Sequence, residues 1–304
     1  MDDDSVSEGD GDRVGTPRRR VTPAGVLAAL FGAGLFAYTL HATSLGPIAE
    51  GMRSVGWGFL LILILSGLRL VARAWAWGLC THGPTPLRIR DTFPAFLTGD
   101  ALGNLTPLGL VASEATKAVY VRHRVSLMDA VSGLAIENLI YTLTVGIVIV
   151  SGTVALLFAF DVSQTLRLSM LGLLAAILVL LAAAAWVLGR QLKVVSRMVD
   201  WLHARSLAPG PLAKRLEKLR TLEDSVYGFH RHHPDRLLGV LALEAAYHAA
   251  GVAEVFVTLL WIAGPPTLLV AFVLETANRA TNVVFKFVPM RLGVDEAGSA
   301  LVTT

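Results

Sequence analysis

The sequence has few of the features on which soluble enzymes and disulfide-stabilised proteins depend. Charged residues make up 16% of its 304 residues, and Cys80 is the one cysteine. Soluble domains carry about a quarter charged residues, and a disulfide within the chain needs two cysteines. A single cysteine also excludes a metal cluster held by several thiolates, so a small packed helical side chain is its simplest role.

Catalytic motifs that can be recognised by spacing are also missing. The sequence contains no Gly-x-Ser-x-Gly, no His-Glu-x-x-His and no Gly-rich phosphate-binding loop. Its longest polar stretch, 190–236, is much shorter than the roughly 100 residues of an ordinary soluble catalytic domain. We therefore predict no catalytic residues, metal, cofactor or nucleic-acid partner, and we expect that the chain is not an enzyme.

Long hydrophobic runs dominate what is present. Hydrophobic residues make up 54% of the chain, and its mean hydropathy is +0.61. Runs long enough to cross a bilayer, which takes about 20 residues, occur at 24–45, 57–80, 127–160, 166–188 and 237–262. With two further apolar segments that are broken by Pro and Gly, the pattern predicts an all-α polytopic membrane protein of about 6–8 membrane helices.

Charged loops set the expected topology. Residues 1–21 are acidic and then basic, which predicts a disordered tail in the cytoplasm ahead of a membrane domain at 22–304 of the plasma (inner) membrane. The loop 190–236 holds ten Lys and Arg residues and should be cytoplasmic. The basic loops 81–91 and 114–124 lie on the same side only if 92–113 enters the membrane and returns. A re-entrant segment is therefore predicted there.

A short motif occurs twice. Pro107 and Pro289 are each followed, seven positions later, by Glu-Ala, with Glu114 and Glu296 as the acids. Corresponding broken segments in two halves of a membrane protein are the sequence sign of a transporter binding site. If the basic loops are all cytoplasmic, the second broken segment enters the membrane from the opposite face to the first. That arrangement is an inverted repeat. Residues 267–288 are also long enough to cross, and a chance likeness of two loops is the alternative.

Polar side chains within the last apolar segment share one helix face. They are Glu275, Asn278, Arg279, Asn282 and Lys286, spaced by three and four. Polar residues in a membrane are costly and usually functional, so the stripe is typical of a pathway or a headgroup site. The alternative is a Glu275–Arg279 pair that only joins two helices.

Other polar residues in the apolar runs form small groups. Arg69 and Arg73 lie one turn apart, where they either bind a phosphate or extend to the membrane interface. Further candidates for contact with a lipid are Asp100, Glu137 and Asn138, together with Glu244 and His248. The last two are one turn apart, but two ligands are too few for a zinc site.

These segments carry a family likeness. The stretch NLTPLGLVASEATKAVYV, followed by SLMDAVSGLAIENLIYTLTVGIVIV, resembles the membrane region of lysylphosphatidylglycerol synthases, also called the flippase-like domain family. The second half, with EVFVTLLWIAG and AFVLETANRATNVVFKFVPMRLGVDEAGSAL, is similar to the subgroup associated with hopanoid biosynthesis. The resemblance covers residues 24–304.

The resemblance implies a polytopic inner-membrane protein that moves or handles lipids. Larger members carry a cytosolic domain that aminoacylates the lipid, and that activity is not carried over to this chain. The motif residues that carry over are Pro107, Glu114, Pro289, Gly293 and Glu296. Arg291 stands where a small residue is more usual, and we expect a closing helix after the second motif to be missing from this chain.

We therefore expect a lipid transporter with a central polar cavity between inverted repeats, which takes a phospholipid or an isoprenoid (hopanoid-type) lipid. Helix N-termini after Pro107 and Pro289 would face an anionic headgroup. Its cationic partners would be Arg69, Arg73, Arg279 and Arg291. One alternative is an intramembrane lipid-modifying enzyme that uses Glu244 with His248, or Glu137. The other is a non-catalytic scaffold that binds lipid-biosynthesis enzymes.

Overall fold

The computed structural model describes most of the chain between residues 53 and 284. The described residues are 53–82, 86–104, 109–190, 193, 196–198, 200–201, 219–229 and 233–284. The named helices are α1 (Gly58–Cys80), α2 (Ile89–Asn104), α3 (Gly109–Tyr120), α4 (Leu127–Ala159), α5 (Gln164–Gly189), α6 (Pro234–Ile262) and α7 (Leu268–Val284). These ranges contain no strand, so the all-α prediction is confirmed.

Four helices are long and apolar enough to cross a membrane, namely α1, α4, α5 and α6. They match four of the runs found in the sequence, and the fold is that of a polytopic α-helical membrane protein. The fifth run, 24–45, lies outside the described residues. A helix in the bilayer satisfies its own backbone hydrogen bonds, which is why apolar runs of this length fold in this way.

Helices α1 and α6 form the centre of the bundle and share its most extensive contact. Helix α4 packs against both, and α7 lies on α4 and α6. Trp77 joins α1 to α4, because its ring N–H donates to the carbonyl oxygen of Ala130 at 3.2 Å. The same ring packs against Phe96 of α2, with 5.8 Å between centroids.

Helices α2 and α3 form an antiparallel hairpin at the predicted break. A Cβ on Gly103 would lie 2.8 Å from the carbonyl oxygen of Gly109, so the two backbones approach too closely for a side chain there. The helices have 16 and 12 residues, fewer than the roughly 20 that span a bilayer. The break in 92–113 is thus confirmed, and re-entry on one side of the membrane stays a prediction.

The structure corrects the extent of the basic loop expected at 114–124. Helix α3 continues to Tyr120, so most of that stretch is helical. Lys117, which lies in this basic stretch, points into the hairpin and is buried. Helix packing, rather than local charge, decides its environment.

The end of the polar loop 190–236 packs on the bundle. Residues 219–229 are helical, and Phe229 is buried in an apolar cluster with Cys80 of α1 and Val240 of α6. Glu223 accepts hydrogen bonds from the backbone N–H and the hydroxyl of Ser196, at 2.9 and 2.6 Å. The described end of the loop is therefore attached to one end of α1 and α6.

Candidate functional site

A connected set of charged side chains lies between the helices. Its basic members are Arg69, Arg73, Lys117 and Arg279, and its acidic members are Asp100, Glu114, Glu137, Glu244, Glu254 and Glu275. Charges at membrane depth are costly unless they are paired or line a watery space. Their gathering in one place therefore marks the candidate site.

Arg73 and Glu137 form a pair in which the acid is fully buried. The Arg73 Nε and Nη2 atoms donate to the two carboxylate oxygens of Glu137, at 2.8 and 3.0 Å. This is the two-pronged geometry that makes arginine–carboxylate contacts strong. Glu137 is 0% exposed, so Arg73, and not water, compensates the charge of its carboxylate.

Asn138 links this pair to the hairpin. Its side-chain oxygen accepts from Arg73 Nη2 at 3.3 Å, and its amide donates to Glu114 Oε2 at 3.1 Å. Glu114 in turn binds the Lys117 ammonium at 3.1 Å, and Asp100 binds the same ammonium at 2.8 Å. Lys117 is 2% exposed and joins α2 to α3.

A second group joins α1, α6 and α7. Arg69 lies halfway along α1, and its Nη1 donates to Glu254 Oε2 at 2.8 Å, while Ser66 donates to Oε1 at 2.8 Å. On α7, Arg279 and Glu275 are 2.7 Å apart, one turn from each other. Glu275 also lies 3.8 Å from Arg69, which connects the two pairs.

Two tyrosines separate the arginines. The Arg73 guanidinium lies 3.9 Å from the ring centroid of Tyr141. Those of Arg69 and Arg279 lie 4.9 and 4.8 Å from the ring of Tyr247. Aromatic faces attract cations, and more strongly when water is excluded. The rings therefore hold three like charges close together.

A half-open cavity of about 240 Å³ opens onto this site. It is lined by Ser66, Arg69, Leu70, Arg73, Phe96, Asp100 and Tyr247. Its volume is below the roughly 300–1,000 Å³ of pockets that enclose a whole drug-sized molecule. It suits one polar group of a larger molecule, and both signs of charge line it.

Glu244 and His248 lie deeper, one turn apart on α6, and both are buried. The His248 Nε2 is 3.1 Å from the hydroxyl oxygen of Thr144 on α4. Within the part of the chain that the structure describes, no three His, Cys, Asp or Glu residues group as metal ligands.

The structure brings together most of the candidates from the sequence, but not all. Asn278 is exposed on α7, and its side-chain and backbone oxygens accept from Asn282 at 3.0 and 2.9 Å, apart from the buried pair beside them. Five other candidates lie outside the described residues, namely Pro107, Pro289, Arg291, Gly293 and Glu296. Arg69 and Arg73 are bound to acids of other helices, and the phosphate contact expected of them stays a prediction.

Some of the site could not be found by sequence reasoning. Lys117 was hidden in a basic stretch, and Tyr247 resembled an ordinary aromatic residue of a membrane helix. One signal was available for Tyr247, because it lies seven residues before Glu254 and therefore on the same face of α6.

A family model identifies the protein family to which the chain is related. The model for the lysylphosphatidylglycerol synthase TM region matches residues 25–304. The chain belongs to this family. No curated protein and no solved structure matches the chain.

Family membership and fold agree on the coarse function. The protein is a multi-pass integral membrane protein with a lipid-related function. The match covers every element of the candidate site, from Arg69 on α1 to Arg279 on α7. The charged site is thus part of the family's membrane region.

Proposed function

We propose that this protein moves a membrane lipid, either a phospholipid or an isoprenoid lipid of the hopanoid type, by admitting its polar headgroup into the cavity beside α1. The observation that carries the proposal is the cavity itself, lined by Arg69 and Arg73 of the candidate span α1 and by Asp100 of α2. A lipid tail stays in the bilayer at no cost, whereas the headgroup needs a polar route.

The lining chemistry supports a headgroup that bears phosphate. Arg69 and Arg73 are forked donors one helix turn apart, and arginine recognises phosphate through such paired contacts. Each is already bound to an acid, Glu254 or Glu137. A headgroup therefore enters by exchange with these acids. Because Arg69 and Glu254 are the more exposed pair, the exchange begins with them.

Asp100 gives the cavity a negative side. It is the most exposed acid of the charged site, at 43% of its side chain, and it shares Lys117 with Glu114. A carboxylate there attracts a headgroup amine and disfavours a headgroup that is only anionic. The cavity therefore discriminates among phosphate-bearing lipids by what accompanies the phosphate.

The arrangement in the membrane completes the proposal. In this proposal the α2–α3 hairpin enters the membrane and returns on one side, as the broken segments of transporters do. The protein lies in the plasma membrane with a cytoplasmic N-terminus, as its basic flank and loop indicate. Lipid-biosynthesis enzymes are its expected neighbours, because they supply or consume the lipid that it moves.

Lipid exchange between leaflets of liposomes tests the proposal. Purified protein is reconstituted with headgroup-labelled anionic, zwitterionic or isoprenoid lipid, and loss of label to an impermeant quencher is followed over time. We expect movement of one class, strongly slowed in Arg69→Gln. The matched control is Arg167→Gln, an exposed arginine of α5 away from the cavity, which should leave the rate unchanged.

Two results would contradict the proposal. One is folded wild-type protein that moves none of the three lipid classes, which would favour an intramembrane lipid-modifying enzyme or a scaffold. The other is Arg69→Gln protein that is folded and moves lipid as fast as the wild type. Folding is checked in each case by a single symmetric peak in size-exclusion chromatography.

A further inference from the structure

Glu244 differs from the five other acids of the charged site. Those five form ion pairs with N–O distances between 2.7 and 3.1 Å. No basic side chain of the described residues forms such a pair with Glu244, although it is 1% exposed and the most deeply buried acid after Glu137. It lies ten residues into α6, about 15 Å along the helix from Pro234 and therefore at membrane depth.

Hydrogen bonds do not compensate for the missing cation. Neither carboxyl oxygen of Glu244 has a hydrogen-bond partner within the described ranges. The Thr144 hydroxyl is a polar neighbour of Glu244, but that hydroxyl donates its one proton to the carbonyl oxygen of Tyr141 at 2.9 Å. The same hydroxyl oxygen therefore accepts from His248 Nε2 at 3.1 Å. The Nδ1 of His248 keeps a free lone pair and has no partner in the described structure.

Charged and titratable groups on every adjacent helix leave this position without a counter-ion. Helix α1 presents Arg73 and Cys80, α4 presents Glu137, α7 presents Arg279, and α6 itself presents His248. Each of the two arginines has its own acid at 2.7 or 2.8 Å. Glu137 repels a second negative charge. An ionised Glu244 would thus be an isolated buried charge.

A buried carboxyl group in this position binds a proton, because the neutral acid avoids the large cost of an unpaired charge away from water. We infer that Glu244 is a proton-binding site of the bundle interior, and, resting on the proposed lipid movement, that the proton is the second species moved.

The link to the lipid follows from the shared neighbours. Arg73 and Arg279 lie close enough to influence Glu244, and Arg73 also lines the headgroup cavity. When a phosphate draws Arg73 away from Glu137, the negative charge next to Glu244 increases, and the proton is held more tightly. When the headgroup leaves, the proton is released more easily.

Infrared spectroscopy of the full chain in lipid nanodiscs tests the proton site without any transport. A protonated carboxyl group absorbs apart from a carboxylate, and exchange into heavy water shifts its band. We expect the band in wild-type protein at neutral pH, its loss in Glu244→Gln and its retention, at a shifted position, in Glu244→Asp. The matched control is Glu254→Gln on the same helix, which removes a carboxyl group bound to Arg69 and should leave the band in place.

The outcomes separate the proton site from the lipid proposal. Absence of the band in wild-type protein, or its persistence in Glu244→Gln, overturns the proton site. If the band is assigned and wild-type protein moves lipid, the rate should depend on pH in the wild type and lose that dependence in Glu244→Gln. An equal pH dependence in both would overturn the coupling. Wild-type protein that carries the band but moves no lipid would overturn the proposed function and leave the proton site established.

Discussion

Helices α5 and α6 are both long enough to cross the membrane, but they contribute differently to the molecule. Helix α5 is the most apolar of the four candidate spans, and none of its residues is buried. Helix α6 is the least apolar, and it contacts α1, α4 and α7. Lipid tails solvate apolar side chains as well as a neighbouring helix does, so hydrophobicity alone does not drive helices together in a bilayer. The two helices have equal numbers of alanine and glycine, so polar residues such as Glu244, His248 and Glu254 are what distinguish the interior span α6.

Arg73→Leu should have the largest effect on stability, because it leaves Glu137 buried without its cation. Removal of one partner of a buried ion pair costs about 3–5 kcal/mol. The free energy of unfolding in detergent micelles, measured with denaturant and followed by tryptophan fluorescence, should fall by that amount. The exposed Arg167 of α5 provides the comparison, and Arg167→Leu should change nothing measurable.

The double variant Arg73→Leu with Glu137→Leu makes the test sharper. It removes both charges, so much of the lost stability should return. If Arg73→Leu and Arg167→Leu lowered the free energy of unfolding equally, the burial of the α1 arginine between helices would have no effect on stability.

Glycines on the two helices give the next contrast. A Cβ on Gly251 of α6 would lie 2.5 Å from Glu275 Oε1 and 2.9 Å from Arg279 Nη2. Gly251→Ala should therefore displace a buried ion pair and cost about 1–3 kcal/mol. Among the described residues, no atom lies within 4 Å of a Cβ placed on Gly172 of α5, so Gly172→Ala should be neutral or stabilising by up to about 1 kcal/mol through helix propensity. Thermal unfolding midpoints of the two variants should move apart, and a shared shift would contradict the packing described for α6.

The contact between Arg69 and Glu254 should contribute less. Interhelical polar contacts in membranes average about 0.6 kcal/mol in double-mutant cycles. We expect a coupling of about that size between Arg69→Ala and Glu254→Ala, measured from the unfolding free energies of the two single variants and the double variant. Strict additivity would mean that the 2.8 Å contact between α1 and α6 adds nothing to their association.

The smallest effect concerns pH and lies outside the spans. Burial lowers the pKa of His82, in the loop after α1, and electrostatic interactions with His233 and Arg236 lower it further. The unfolded chain therefore binds the proton more readily than the folded one, so stability is full at neutral pH and decreases as the pH falls below the unfolded value of about 6.5. The midpoint of unfolding should drop slightly on acidification in the wild type and less in His82→Gln. Helix α5 has no histidine or acid that could respond in this way. If acidification lowered the unfolding midpoint of His82→Gln as much as that of the wild type, another titratable group would be responsible.

The sequence predicts the helices well, because the length and apolar character of a span follow from the thickness of the bilayer. The run expected at 127–160 is α4, Leu127–Ala159. The sequence does not predict which charged residues bind each other. Arg73 binds Glu137, which is 64 positions away, and nothing in one sequence selects that acid over Glu244 or Glu254. Lys117 was placed in a loop because burial in the hairpin depends on Asp100 and Phe96, contacts that only the folded chain shows.

The pairing of α1 with later helices also sets the order in which the protein can be made. Arg69 and Glu254 are 185 positions apart, and Arg73 and Glu137 are 64 positions apart. A ribosome therefore delivers α1 to the membrane with two arginines whose acids have not been synthesised. Each costs about 2.5–3.5 kcal/mol at the centre of an inserting helix, and the long apolar stretch before them has to hold α1 in place meanwhile. The bundle closes in stages, first when α4 arrives and again when α6 and α7 follow, so truncation before Glu254 should leave a nascent chain that quality control can recognise by its unpaired charge.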